Sequence, residues 1–141
     1  MIVSIGSLQR NLARLDELLK AGVRVIKLKV RGNVDMEIRR VRAIARKLGN
    51  VPFYVDANQG YKLRDAMTLS KILLDTGALF SEQPVDRYDF DSLRLLRETG
   101  GVPIMLDESI FTSRDVIEAI RKEAADCINV KHVKSGGSGC L

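Results

Sequence analysis

Charged residues recur at the ends of short apolar runs along this chain: Lys29, Asp56, Glu82, Asp107 and Lys131 stand 27, 26, 25 and 24 residues apart. Each interval holds one apolar run and one amphipathic segment, the length of a strand with its crossover helix. Strands joined this way run parallel, with right-handed crossovers. The chain therefore reads as α/β. Five successive strands each end in a charged group, at the C-terminal rim where parallel α/β barrels place their active sites.

The run Val-Ile-Lys-Leu-Lys-Val at 25–30 is the least ordinary of these strands. Side chains alternate faces along a strand, so Lys27 and Lys29 share one face while Ile26, Leu28 and Val30 share the other. A desolvated ammonium is costly without an anionic partner or a chemical use. Lys27 and Lys29 are then either a functional pair or the wet face of an edge strand. The same alternation puts Lys29, Asp56, Glu82, Asp107 and Lys131 on the face shared with Lys27, Tyr54, Phe80, Met105 and Asn129, the interior of a barrel.

The other strands are expected at 1–5, 51–55, 78–81, 102–106 and 126–130. Between them, Ser7 caps a helix with the stripe Leu8, Leu12, Leu15 and Leu19, and Asn33 caps one carrying Val34, Ile38, Val41, Ala45 and Leu48. A third helix spans 62–76 with Ala66, Leu69, Ile72 and Leu73 on one face, and a fourth spans 90–99. Thr112 with Asp115 forms a capping box for the helix through Arg121.

With 141 residues, 45% hydrophobic and 29% charged, the chain suits one soluble globular domain. It shows no basic leader followed by an apolar run and no eighteen-residue apolar stretch, so it is expected to be cytoplasmic and not bound to a membrane. The net charge of +5 does not signal nucleic acid. Arg39, Arg40, Arg42, Arg46 and Lys47 alternate with apolar residues at helical spacing without aromatic neighbours, which describes a solvated helix face. Cys127 and Cys140 have no metal-like spacing and are expected to be free thiols. His132 follows Lys131 and should point the opposite way, as a structural or incidental residue.

Three carboxylates on one rim repel each other unless a cation lies among them. Oxygen-only ligands suit a hard divalent ion, Mg²⁺ above all, with Mn²⁺ as the other candidate and Zn²⁺ disfavoured for want of histidine or cysteine. Lysines on opposite sides of such a site can each remove or return a proton on one face of a bound substrate. A base of this kind must be neutral when it acts, so a neighbouring ammonium such as Lys27 helps by disfavouring a second charge.

The ordered motifs Lys-Leu-Lys (27–29), Asp-Ala-Asn-Gln-Gly-Tyr (56–61), Glu-Gln-Pro (82–84), Asp-Glu-Ser (107–109) and Asn-Val-Lys-His-Val-Lys-Ser-Gly-Gly (129–137) closely resemble the enolase superfamily, in its muconate lactonizing enzyme subgroup. The resemblance implies a (β/α)8 barrel of the TIM type and abstraction of the proton α to a carboxylate through an enediolate. A Lys or His base working with Mg²⁺ is the established chemistry of such sites. By the matching motifs, Asp56, Glu82 and Asp107 resemble the metal ligands, and Lys29 and Lys131 the two acid/base lysines. Lys27 resembles the helper lysine, while Asn58 and Glu108 resemble polar residues that support the ligands from behind. The last motif resembles dipeptide epimerases and muconate cycloisomerases more than mandelate racemase.

Against that family, the chain is expected to be an incomplete barrel of about six βα units over 1–137, followed by a short tail at 138–141 and lacking the capping domain. Two functions are then open: a racemase, epimerase or cycloisomerase for a small carboxylate substrate, or a truncated, inactive fragment that folds or assembles. Unpaired outer strands predict a homo-oligomer in either case.

Overall fold

The computed structural model describes residues 1–99 and 101–131. His132, Cys140, the end of the last motif and the 138–141 tail therefore lie outside the described residues. Strand and helix alternate throughout: β1 Ile2–Val3, α1 Leu8–Lys20, β2 Ile26–Lys29, α2 Val34–Leu48, β3 Phe53–Asp56, α3 Leu63–Asp75, β4 Ser81–Glu82, α4 Phe90–Glu98, β5 Ile104–Leu106, α5 Ser113–Arg121 and β6 Cys127–Ile128. All five strand pairs are parallel, in the order β1-β2-β3-β4-β5-β6. No helix among the described residues is long and apolar enough to cross a membrane.

The paired ladders are shorter than the apolar runs. Residues outside them still bond across, as Leu79 N donates to Phe53 O at 2.9 Å and Val55 N to Phe80 O at 3.2 Å, so the extended path outlasts the strict pairing. Ile26, Leu28, Val55, Ile104 and Leu106 are buried in the same core as Leu15, Ile44, Leu69 and Leu93 of the helices. The opposite face of the sheet is only half-buried at Lys27, Tyr54, Phe80 and Met105, as the alternation requires.

Two expectations are corrected. Leu8 is exposed, and the buried face of α1 is Asn11, Leu15 and Leu18, with Leu12 and Leu19 at its margins. Arg40 does not belong to a solvated face. It is 5% exposed and lies among buried partners: Nε donates to Glu37 Oε2 at 2.9 Å, and Nη1 to Asn11 Oδ1 at 2.7 Å. Its Nη2 also donates to the carbonyl of Lys29, while Asn11 Nδ2 donates to Ser4 O at 3.1 Å. Periodicity hid this cluster because a paired charge is tolerated at a core position where an unpaired one is not.

The helix starts form as their residues dictate. Ser7, Asn33, Asp89 and Thr112 each accept from a backbone N–H of the first turn. Asp115 completes the capping box, and hydrogen bonds from the Thr112 and then the Phe111 backbone hold its carboxyl below the usual carboxylate value. A depressed folded-state pKa contributes stability that is complete above the ordinary carboxylate range and is lost as pH falls through it. Asp115→Ala is thus expected to cost about 0.5–1 kcal/mol at neutral pH. In urea titrations at pH 7 and pH 3 the deficit should shrink at the lower pH, and a deficit unchanged between them would argue against this role.

Candidate active site

The strand tips bring the sequence-predicted residues to one rim. Asp56, Glu82 and Asp107 are 1%, 0% and 2% exposed, so three carboxylates are withdrawn from water at neighbouring tips. Such burial is tolerable only with compensating positive charge and hydrogen bonds. Lys27 supplies most of it, with Nζ 2.8 Å from Asp56 Oδ2 and 2.5 Å from Glu82 Oε2. Lys29 Nζ lies 3.5 Å from Asp56 Oδ2, and Lys131 pairs with Asp107 Oδ2.

Burial lowers the proton affinity of Lys27 more than any other single influence, but its hydrogen bonds to Asp56 and Glu82 and their charges together outweigh that and raise it above the usual lysine value. Lys27 is therefore a fixed ammonium at neutral pH, suited to holding charge and unsuited to taking a proton. Its Nζ also sits 5.6 Å above the Tyr54 ring, which packs against Phe80 with centroids 4.4 Å apart. These rings floor the site on its apolar side.

Polar neighbours aim the charged groups. Lys29 Nζ donates to Asn58 Oδ1 at 2.8 Å, and Asn58 Nδ2 donates to Glu108 Oε1 at 2.9 Å, so Asn58 bridges the lysine to a fourth carboxylate. Asn58 N in turn donates to Asp56 Oδ1 at 3.0 Å. Asn129, one turn of the alternation before Lys131, donates to Glu82 Oε1 at 3.0 Å. Asn58, Gln59 and Gln83 all have positive φ, at 42°, 62° and 40°. Left-handed backbone at non-glycine residues costs of order 1–3 kcal/mol each and tends to gather at functional sites.

Ladder register sets the relative heights of these groups. Lys29 pairs with Asp56, Asp56 with Glu82, Glu82 with Met105, and Met105 with Cys127. Asp107 thus stands two residues beyond this row and Lys131 four beyond, the stagger expected of strands that curl toward a barrel. It explains the pairing of Lys131 with Asp107 and of Lys27 with the lower carboxylates. No three acidic, histidine or cysteine residues among those described converge on one point as the side chains stand. The donor chemistry nevertheless fits a hard divalent ion: every candidate ligand is a buried carboxylate oxygen, and the cation now bridging two of them is an ammonium. Glu108 Oε2 is also buried with no hydrogen-bond partner among the described residues.

Residues 10–139 match the enolase C-terminal domain-like family. The chain belongs to that family. It is 34% identical over 139 residues to an L-Ala-D/L-Glu epimerase of Bacillus subtilis, covering 96% of this chain and 38% of that protein. An enzyme of the same name from Thermotoga maritima is 33% identical over 141 residues, covering 99% of this chain and 41% of the relative. Among solved structures, a dipeptide epimerase from Cytophaga hutchinsonii complexed with Mg and the dipeptide D-Ala-L-Val superposes with a TM-score of 0.91 at 32% identity, over 95% of this chain and 37% of that one. A muconate cycloisomerase from Pseudomonas fluorescens gives 0.89 at 30% identity, over 96% and 38%. This enolase-family chain spans about two fifths of the length of the curated relatives it matches.

Sequence reasoning missed two polar groups of this enolase-family site. Alternation puts Asn129 on the inner face but names no partner for it, and the sequence presents Gln83 only as part of the Glu-Gln-Pro motif. A glutamine set between the strand-tip carboxylate of Glu82 and Pro84 is the sequence signal for Gln83.

Proposed function

We propose that this chain carries the proton-transfer centre of a racemase or epimerase for a small carboxylate, with dipeptides as the substrate class. The observation that carries the proposal is the pair Lys29, at the end of β2, and Lys131, three residues beyond β6, flanking three buried carboxylates on one rim. A base on each side of a bound α-carbon can take the proton from one face while the other returns a proton to the opposite face, which inverts the centre with no net change in protons.

Lys29 is aimed by Asn58, and the Asp56 carboxylate that lies 3.5 Å from its Nζ is also held by the ammonium of Lys27 two residues earlier. The names of the relatives, several of them epimerases of dipeptides, support this class over a cycloisomerase. Asp56, Glu82 and Asp107 would hold Mg²⁺ or Mn²⁺. Bound there, the ion supplies positive charge against the negative charge that builds on the substrate carboxylate as its α-proton leaves. Lys27 and Lys131 engage the same oxygens, so metal binding and these ion pairs compete for them.

Calorimetric titration with Mg²⁺ tests the metal assignment. The protein should give a saturable heat and Asp56→Asn an affinity weaker by about tenfold or more. Equal affinity in the two proteins would rule out the carboxylate site.

Among the described residues β1 and β6 each have one strand neighbour, and Ile120 of α5, beside β6, is 70% exposed. Unpaired parallel edges template another chain. A second copy is the proposed partner. Sedimentation velocity should then show a species heavier than the 15.7 kDa monomer, and a lone monomer at tens of micromolar excludes it.

A further inference from the structure

Gln83 is bonded at the rim through both its main chain and its side-chain amide, yet the chemistry above gives it no role. It is 0% exposed and follows Glu82 directly. Its backbone N donates to Met105 O at 2.9 Å and its carbonyl accepts from Gln59 N at 2.8 Å, so the main chain alone joins three strand tips. The side chain reaches further. Oε1 accepts from the backbone N–H groups of Asp107 and Ser109, both at 3.1 Å. Nε2 donates to Val85 O at 3.2 Å and to Ser109 Oγ at 2.9 Å, and that hydroxyl donates to Arg87 O at 2.8 Å.

We propose that Gln83 is a positioning residue: its amide clamps the loop bearing Asp107 and Glu108 to the tip of β4 and so sets where the Asp107 carboxylate stands relative to Glu82. The geometry needs an amide. Only a side chain with an acceptor and a donor on one planar end can take two backbone N–H groups while giving protons to Val85 and Ser109. A carboxylate would lose both donations and place a further charge between Glu82 and Asp107, and an apolar side chain would remove the acceptor that the Asp107 and Ser109 amides share. The consequence for metal affinity rests on the reading of Asp107 as a ligand; the clamp itself does not.

Amide hydrogen exchange followed by NMR, with Mg²⁺ calorimetry, separates the two in the wild-type protein, Gln83→Met and Gln83→Gly. Exchange at Asp107 and Ser109 should quicken by tenfold or more in both variants, beyond any change at the amides of α1 and α2 that report overall stability. Mg²⁺ affinity should fall by about tenfold alongside. The glycine variant relieves the positive φ of this position and carries the test if the methionine variant does not fold. Wild-type protection at both amides in a folded variant overturns the clamp, and so does a uniform acceleration at every amide, which marks a merely structural role. A wild-type protein that gives no heat with Mg²⁺ overturns the metal reading instead and leaves the exchange rates to decide on Gln83.

Discussion

Lys27→Met is expected to destabilise the metal-free protein by about 3–5 kcal/mol, because it strands buried carboxylates that share one ammonium. Among the described residues, Glu82 would keep the hydrogen bond from Asn129, and Asp56 would keep Lys29 at 3.5 Å and the Asn58 backbone. One accompanying result distinguishes this from simple loss of packing. The raised proton affinity of Lys27 contributes stability that is complete below the ordinary lysine value and is lost as pH rises through the raised one, so the deficit should shrink at strongly alkaline pH, whereas a packing deficit would not. Mg²⁺ at about a hundred times its dissociation constant should restore roughly 2.7 kcal/mol, as any ligand of the folded state does. Chemical denaturation with and without Mg²⁺, at neutral and alkaline pH, reads all three quantities. A variant that is as stable as wild type without metal would mean that Lys27 is not the cation on which the site depends.

The largest catalytic effect is expected at Lys29 and Lys131. In deuterated buffer, NMR of a dipeptide should show a complete enzyme that carries this sequence exchanging the α-proton of both epimers and interconverting them. Lys29→Ala and Lys131→Ala should each abolish interconversion, and each should lower exchange from one epimer by about 10²–10⁴-fold while sparing the other. The spared epimer should differ between the two variants. Symmetric loss in both would remove the two-base assignment. Loss confined to one lysine is the pattern of a reaction that needs a single base, as a cycloisomerisation would.

Lys27 ties two strand tips together at the rim. Its ammonium, held charged by Asp56 and Glu82, compensates the two buried carboxylates and stands two residues from Lys29. Arg40 acts from the helix side of the sheet, where its guanidinium holds the carbonyl of Lys29. One lysine-bearing strand is thus pinned from both faces, by carboxylates within and by a buried arginine behind.

Sequence alone determined the alternation of strand and helix, the face each strand residue takes, the helix caps at Ser7, Asn33 and Thr112, and the gathering of Lys29, Asp56, Glu82, Asp107 and Lys131 at one rim. All of these follow from periods of two and 3.6 residues and from cap chemistry acting within a few residues. Tertiary structure decided which ammonium meets which carboxylate. That outcome depends on register: Glu82 pairs with Met105 and not with Asp107, so Asp107 and Lys131 stand above the row that Lys27 serves. It also decided that Arg40, one of five basic residues with the same local pattern, turns inward to Glu37, Asn11 and the Lys29 carbonyl, and that Gln83 reaches the amides of Asp107 and Ser109. Spacing along a chain fixes direction, whereas the partner a buried polar group finds is set by the neighbouring strands and helices that the fold brings beside it.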